Sequence, residues 1–290
     1  MAKTKGDFYF IGFGNMAQAI YQRMDTRAYE NIFLIEKNNQ RIKEIKELTS
    51  YKKLSSKTKI NNKLGKNKFS SFDTFLIAVK PAQIKSLCTQ LKTLLKNNND
   101  YIDKPLIISI AAGINSTKIK KYLNNYHSSN FVRAMPNLCA KKGMAITGLF
   151  GDPYWFGKKG GTSTGKRVSK IFTSIGQILW VDQESDLDSI TAISGSGPAY
   201  VYYIMNAMID TAIGFGLERS DAQRLVTQTI IGAGETGKNI YNLKDEIIKV
   251  SSKGGTTEKA INVFKQKKLD VIIKQAIKAA HKRSKELSNK

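Results

Sequence analysis

Near the start of the chain an apolar run, Phe8-Tyr9-Phe10-Ile11, passes without a spacer into Gly12-Phe13-Gly14-Asn15-Met16-Ala17 and then into a stretch of helical character reaching residue 24. A strand that turns on two glycines straight into a helix has few structural outlets. The first glycine permits the tight turn, the second lets a ligand approach the backbone, and small Ala17 lets the helix pack close to the strand. The helix N-terminus leaves N–H groups without internal partners, and these attract phosphate. An isolated G-x-G-x-x-A is also what an ordinary tight turn looks like. Its place between a strand and a helix is what points to nucleotide binding.

The first half of the chain repeats this alternation. Residues 32–35, 74–79, 106–110, 131–134, 144–150 and 177–181 read as further strands, and 40–48, 84–95 and 168–175 as helices. Such alternation implies a parallel, doubly wound sheet covered on both faces. After Val181 the β-like runs stop, and residues 199–213, 220–231, 258–264 and 269–287 carry helical patterns, the second opened by a Ser220/Asp221 cap. The expected organisation is an α/β domain over residues 1–182 and an all-helical domain over 183–290. The Gly/Lys-rich stretch 151–167 reads as a long surface loop inside the first.

Charge is the other conspicuous property. The 290 residues carry 47 Lys+Arg against 23 Asp+Glu, a formal net charge of +24. The excess is densest over residues 37–68, where the only acids are Glu44 and Glu47. Such a field attracts polyanions. The basic residues are interleaved with Asn, Ser and Thr rather than with aromatics that stack on bases, and no nucleic-acid-binding motif accompanies them. The charge therefore reads as a solvated surface, with no nucleic-acid partner expected. Two cysteines, Cys88 and Cys139, exclude a disulfide scaffold, and with His127 and His281 they leave little material for a metal site, so none is expected. The basic N-terminal residues meet Phe8-Tyr9-Phe10-Ile11 at once, too short a run for a signal peptide. The uncharged run 190–209 contains Gly195-Ser196-Gly197-Pro198 and Asn206, which favours a loop entering a helix over a membrane span. A cytoplasmic protein with no membrane partner is expected.

Several strand ends carry candidate chemistry. Glu36 closes the second strand; an acid there takes a ribose 2′-hydroxyl, which tilts the reading toward NADH. Lys37, Asn38, Asn39 and Arg41 crowd the same turn and offer partners for a 2′-phosphate, so NADH and NADPH both stay open. Ala78-Val79-Lys80-Pro81 and Ser109-Ile110-Ala111-Ala112-Gly113 end strands at the carboxyl edge, where open α/β sheets bind ligands, although each is also plausible turn chemistry. Arg133-Ala134-Met135-Pro136-Asn137 follows another strand, with a trans Met-Pro bond as the default. In the helical half, Ser194-Gly195-Ser196-Gly197-Pro198 leads into a helix. Val250-Ser251-Ser252-Lys253-Gly254-Gly255-Thr256-Thr257 brings glycines and hydroxyls together at a helix start, a cradle for a carboxylate or phosphate. Alone, such a segment is also a capping loop.

Taken together these segments, in this order and over nearly the whole chain, resemble pyrroline-5-carboxylate reductase, the family that completes proline synthesis. The matching stretches are 10–16, 78–81, 109–113, 133–137, 194–200 and 251–257. The resemblance implies an N-terminal Rossmann-like doubly wound sheet followed by an all-α dimerisation domain. It implies that Ile11, Gly12, Phe13, Gly14, Asn15 and Met16 hold NADPH or NADH, together with Ala78, Val79, Lys80 and Pro81 and with Ile110, Ala111 and Ala112. It further implies that Ser252, Gly254, Gly255, Thr256 and Thr257 hold the carboxylate of 1-pyrroline-5-carboxylate, with Thr257 hydrogen-bonded toward the ring nitrogen as the catalytic residue. The assembly it implies is a homodimer or a decamer of dimers. Lys253 stands where the family usually has proline, and residues 239–249 and 151–167 depart from its pattern.

The rival readings fare worse. Hydroxyacid dehydrogenases of the same two-domain plan use a lysine on the first long helix of the second domain, and no lysine occurs over residues 195–237. A non-catalytic nucleotide-binding protein has no use for Thr256 and Thr257 in a glycine loop.

Overall fold

The computed structural model describes residues 5–51, 55–65, 69–95, 104–124, 130–152, 156 and 160–289. His127 lies outside them, as do parts of the basic stretch 37–68 and of the stretch 151–167. The chain divides into two units, one of residues 1–195 with 281–290, the other of residues 196–280.

The first unit is built on one sheet of eight strands in the order β3-β2-β1-β4-β5-β6-β7-β8. These are β1 (Phe8–Ile11), β2 (Ile32–Ile35), β3 (Thr58–Asn61), β4 (Thr74–Ile77), β5 (Leu106–Ser109), β6 (Phe131–Met135), β7 (Ala145–Gly151) and β8 (Gly176–Trp180). Its helices are α1 (Asn15–Arg23), α2 (Asn39–Tyr51), α3 (Ile84–Leu95), α4 (Ser116–Tyr122), α5 (Ser163–Thr173) and α6 (Asp186–Ile190). Side chains alternate across a strand, so β1 must satisfy two cores. Phe8 and Phe10 join Ala17, Ile20, Ile45, Val168 and Phe172 on one face. Tyr9 and Ile11 join Ile84, Leu87, Leu91 and Ile119 on the other. Helices α1, α2 and α5 thus cover one side and α3 and α4 the other, as a doubly wound sheet requires.

The sheet departs from the all-parallel expectation at one place: β7 runs antiparallel to β6, while β8 again pairs parallel with β7. Residues 136–144, containing a short 3₁₀ segment Leu138–Lys142, are too few for the crossover that a parallel pair needs. Strand β3 lacked a sequence signal because it is a half-exposed edge strand, Thr58-Lys59-Ile60-Asn61, held by its pairing to β2 and by Lys59 over the Phe33 ring. Helix α4 was also unmarked by periodicity, though Asn115 caps it by accepting from the Lys118 N–H at 2.9 Å. The loop expected over 151–167 ends early. Thr162 accepts from the Gly165 N–H and starts α5 at Ser163, and residues 153–155 and 157–159 fall outside the described set.

The second unit is helical: α7 (Gly197–Gly214), α8 (Arg219–Gly237), α9 (Leu243–Val250), α10 (Thr256–Gln266) and most of α11 (Leu269–Asn289), whose last turns belong to the first unit. The expected Ser220/Asp221 cap is not formed: Glu218 occupies the N-cap without a side-chain bond, and Asp221 lies inside the first turn. There its negative charge still faces the positive end of the helix. Helix α9, not foreseen, is capped by Asn242, which accepts from the Lys244 N–H. No residue of α7 is buried within the chain, and Tyr203, Phe215, Tyr241 and Ile248 are all more than two-thirds exposed. Among the described residues no helix is long and apolar enough to cross a membrane, and no group of three potential metal ligands gathers.

Candidate active site

Parallel register aligns the carboxyl ends of four strands. Ile11 pairs with Ile35 and Ile77, and Ile77 with Ser109. The residues that follow are stitched to the neighbouring strand: the Gly12 N–H donates to Ile35 at 2.9 Å, Ala78 to Ile11 at 2.8 Å, Ile110 to Ile77 at 3.0 Å and Glu36 to Asn61 at 3.0 Å. The structure therefore brings residues 11–16, Glu36, 78–81 and 110–112 to one edge. The chain winds outward from β1 to β2 and β3, then returns to the other side of β1 with β4 and β5. That reversal opens a crevice between the Gly12 and Ala78 turns, the place where doubly wound sheets take ligands.

Gly12 has φ +84°, and a Cβ there would lie 2.9 Å from the Ala78 carbonyl oxygen, so the turn admits only glycine. Gly14, the N-cap of α1, is exposed, and a Cβ there would meet nothing within 4 Å. No side chain caps α1 and its first turn has no acid. The N–H groups and the dipole of this helix end are thus presented beside open space, which fits the pyrophosphate of a dinucleotide. Asn15 is exposed and Met16 half-buried on the same turn. Phe13 contributes backbone alone: its ring is buried edge-on against Phe10 and Tyr21, and its carbonyl accepts from the Gln18 amide.

Glu36 is turned toward the protein. One carboxylate oxygen accepts from the Phe13 N–H at 3.3 Å and the other from the Asn38 N–H at 3.1 Å. The cations expected beside it are also engaged, Lys37 donating to Gln90 and Arg41 pairing with Glu44. On β4's turn the Lys80 and Gln83 N–H groups are tied within the 78–83 segment, leaving Val79 half-buried and Lys80 and Pro81 exposed at the crevice. After β5 the buried Ser109 hydroxyl accepts from the Ala111 N–H, and Ala112 is exposed. Gly113, at φ +69°, lies so close to α11 that a Cβ would be 2.7 Å from the Leu287 Cβ.

The Arg133–Asn137 segment does not point into the crevice. Arg133 is 2% exposed and paired with Glu184, while the Asn137 amide donates to the Ser194 carbonyl at 3.1 Å. Among the described residues no peptide bond is cis, so the Met135–Pro136 bond takes its default form. Residues 191–195 form a π-turn leading to α7, with Pro198 in the first turn of that helix.

In the helical unit, α9 ends at Val250 and the chain turns through Gly254 (φ +75°) into α10. The Gly255 N–H donates to the Ser252 carbonyl at 2.9 Å, and a Cβ on Gly255 would lie 2.5 Å from the Ser252 hydroxyl. Gly255 is the N-cap of α10 and no side chain caps that helix. Ser252, Gly254, Gly255, Thr256 and Thr257 thus share one loop around an uncapped helix start. Glu258 occupies one donor, accepting from the Gly254 N–H at 2.7 Å. Lys253 is exposed, and the Ser251 hydroxyl is buried without a partner among the described residues.

A doubly wound sheet with an uncapped glycine turn at its switch point, joined to an all-helical unit, defines a Rossmann-type dinucleotide-binding protein. Residues 7–113 match the family described as NADP oxidoreductase, coenzyme F420-dependent, and residues 184–287 match pyrroline-5-carboxylate reductase dimerisation. A pyrroline-5-carboxylate reductase of Vibrio alginolyticus is 30% identical over 285 residues, covering 96% of each chain. The structure of a pyrroline-5-carboxylate reductase from Coxiella burnetii superposes with a TM-score of 0.77 at 31% identity, covering 98% of this chain and 99% of that one. The Plasmodium falciparum enzyme, solved with NADP bound, superposes with a TM-score of 0.74 at 27% identity over 97% of each chain. The chain belongs to the pyrroline-5-carboxylate reductase family, whose members are NAD(P)H-dependent oxidoreductases. The N-terminal family is described by NADP, and in this chain each Glu36 oxygen accepts one backbone N–H.

Proposed function

We propose that this chain reduces 1-pyrroline-5-carboxylate to L-proline, the last step of proline synthesis, with NADPH as reductant. The observation that carries the proposal is the presence, in one chain of this family, of an uncapped glycine turn at the sheet edge and of an uncapped glycine-threonine loop in the helical unit. When bound, the dinucleotide supplies the hydride that adds to C5 of the imine. Everything else is alignment and anion binding by the protein. Gly12, Gly14 and the first turn of α1 receive the pyrophosphate. Ala78, Val79, Lys80 and Pro81 with Ile110, Ala111 and Ala112 line the edge where the dinucleotide extends. Ser252, Gly254, Gly255 and Thr256 hold the substrate carboxylate at the N-terminus of α10. The Thr257 hydroxyl accepts a hydrogen bond from the iminium N–H; its own acidity is too weak to make it an independent acid, so the proton on that nitrogen comes with the substrate.

In this reading residues 1–182 are the dinucleotide-binding domain and residues 183–290 the substrate-binding and dimerisation domain. The exposed apolar side chains of the helical unit support a homodimer; a decamer of dimers and a place in the cytoplasm belong to the same reading through the family alone. The test follows nicotinamide absorbance as the imine is added to purified chain and NADPH. Imine-dependent oxidation with proline as product is expected; well-folded protein that oxidises no NADPH in response to the imine overturns the reading.

A further inference from the structure

The last two turns of α11 carry a buried polar cluster. Helix α11 is exposed along most of its length, and Ser284 and Ser288 are its two buried residues among those described. Four residues apart, they share one face of the helix. Both hydroxyls donate to the same Asp188 oxygen, at 2.6 Å and 3.1 Å, and Asp188, on α6, is itself 6% exposed. The Ser288 carbonyl accepts from the Asn115 amide at 3.1 Å and from the Lys118 ammonium at 3.2 Å, so the negative end of α11 meets a cation of α4. An ordinary amphipathic helix would bury an apolar stripe here. Hydroxyls instead give directional bonds to a carboxylate, and their small size lets the backbones come close.

What comes close is the connection from β5 to α4. Gly113, at φ +69°, has the Leu287 Cβ 2.7 Å from the place its own Cβ would take, and Asn115 holds Ser288 two residues later. Helix α11 therefore lies against the chain immediately after Ile110, Ala111 and Ala112, the residues placed along the dinucleotide. Other turns of that edge are tied by near neighbours, Phe13 by Glu36 and Lys80 by Gln83. In the β5 turn the Ala111 N–H reaches the Ser109 hydroxyl at 3.4 Å, a long bond that fixes little. We propose that Ser284, Ser288 and Asp188 form a clasp that sets the 110–113 turn, which makes them positioning residues for the nicotinamide half of the dinucleotide. The proposal rests on the reading of this edge as a dinucleotide site and deepens it. A displacement of about 1 Å at such a turn is enough to misplace a reacting ring.

The test compares two ligands by calorimetric titration of the full chain. Adenosine 5′-diphosphate engages the glycine turn before α1, whereas NADPH extends to the β5 turn as well. Ser284→Ala/Ser288→Ala is expected to bind adenosine 5′-diphosphate as the native chain does, which also shows that the edge is folded, and to bind NADPH about tenfold more weakly. The dihydronicotinamide fluorescence of its bound NADPH should move toward that of the free cofactor. Asp188→Asn keeps an acceptor oxygen beside both serines and should retain native NADPH affinity. Ser288→Ala alone should lose about threefold, and it carries the test if the double variant does not fold. Unchanged NADPH affinity in the folded serine variants overturns the proposal. So does an equal weakening of both ligands, which would make the cluster merely structural. Failure of the imine reading registers differently, as absent imine-dependent oxidation in native chain with this ligand pattern intact.

Discussion

The Arg133 guanidinium, all but inaccessible on β6, donates to Glu184 at 3.1 Å, and the same carboxylate accepts the Ser116 N–H at 2.6 Å and its hydroxyl at 2.5 Å. One acid thereby ties a central strand, the start of α4 and the segment leading to α6. Asn137, four residues after Arg133, holds the turn that follows α6 through the Ser194 carbonyl. Removing one partner of a buried pair strands the other charge, at a cost of about 3 kcal/mol, whereas replacing both is far milder. Glu184→Ala and Arg133→Met are each expected to lower the urea midpoint strongly, and Arg133→Met/Glu184→Leu to recover most of the loss. Singles costing less than the double would contradict this account.

Gly12 and Gly14 separate fold from function. Gly12→Ala drives a Cβ against the Ala78 carbonyl at a positive φ, so both stability and NADPH binding should fall. Gly14→Ala adds its methyl to open space at φ −74°, where alanine is at ease. Thermal unfolding of Gly14→Ala should match the native chain, while its NADPH affinity drops at least about tenfold because the methyl enters the phosphate approach. Unchanged affinity would place the pyrophosphate elsewhere.

Thr257→Ala removes a hydroxyl from the second position of an uncapped helix and leaves the sheet edge untouched. A hydrogen bond to a charged group contributes about 1.5–3 kcal/mol, so kcat/KM for the imine should fall roughly 10- to 100-fold. NADPH affinity, read by fluorescence titration, should stay the same. Loss of cofactor binding would show that Thr257 acts on the dinucleotide instead.

Burial against the Phe8 ring pushes the Tyr29 hydroxyl up to about 12 from its ordinary value near 10. Between those values the unfolded chain has released a proton that the folded chain retains, so stability falls as pH rises. The contribution is complete below pH 10 and gone above about 12, worth about 2–3 kcal/mol. Tyr29→Phe should therefore flatten the decline in urea midpoint between pH 10 and 12; an identical decline in the variant would refute it.

Periodicity and turn chemistry are local, and they located most elements: the strand Phe8–Ile11, the glycine turn and helix Ile84–Leu95 stand where the residues place them. Strand β3 escaped because an edge strand with one buried-side apolar residue has no alternation to read. Helix α9 escaped because its signal is a single capping Asn242.

The roles of charged residues were least legible. Glu36 and Lys37 stand in one turn at the strand end, yet each is held by a partner that folding supplies, the Phe13 N–H and Gln90, while Arg41 pairs locally with Glu44 one helical turn on.

By itself the sequence determined that strands would alternate with helices, that a backbone turn at Gly12 would face a helix N-terminus, and that a glycine-threonine loop would open α10. These are properties of neighbouring residues, set by sterics and by where apolar side chains recur. Only the tertiary structure decided that β7 runs antiparallel, that Gly12, Glu36, Ala78 and Ile110 share one edge, and which charges face inward. Those outcomes depend on strand register and on contacts between residues far apart in the chain, where many pairings suit the same local pattern and packing selects one.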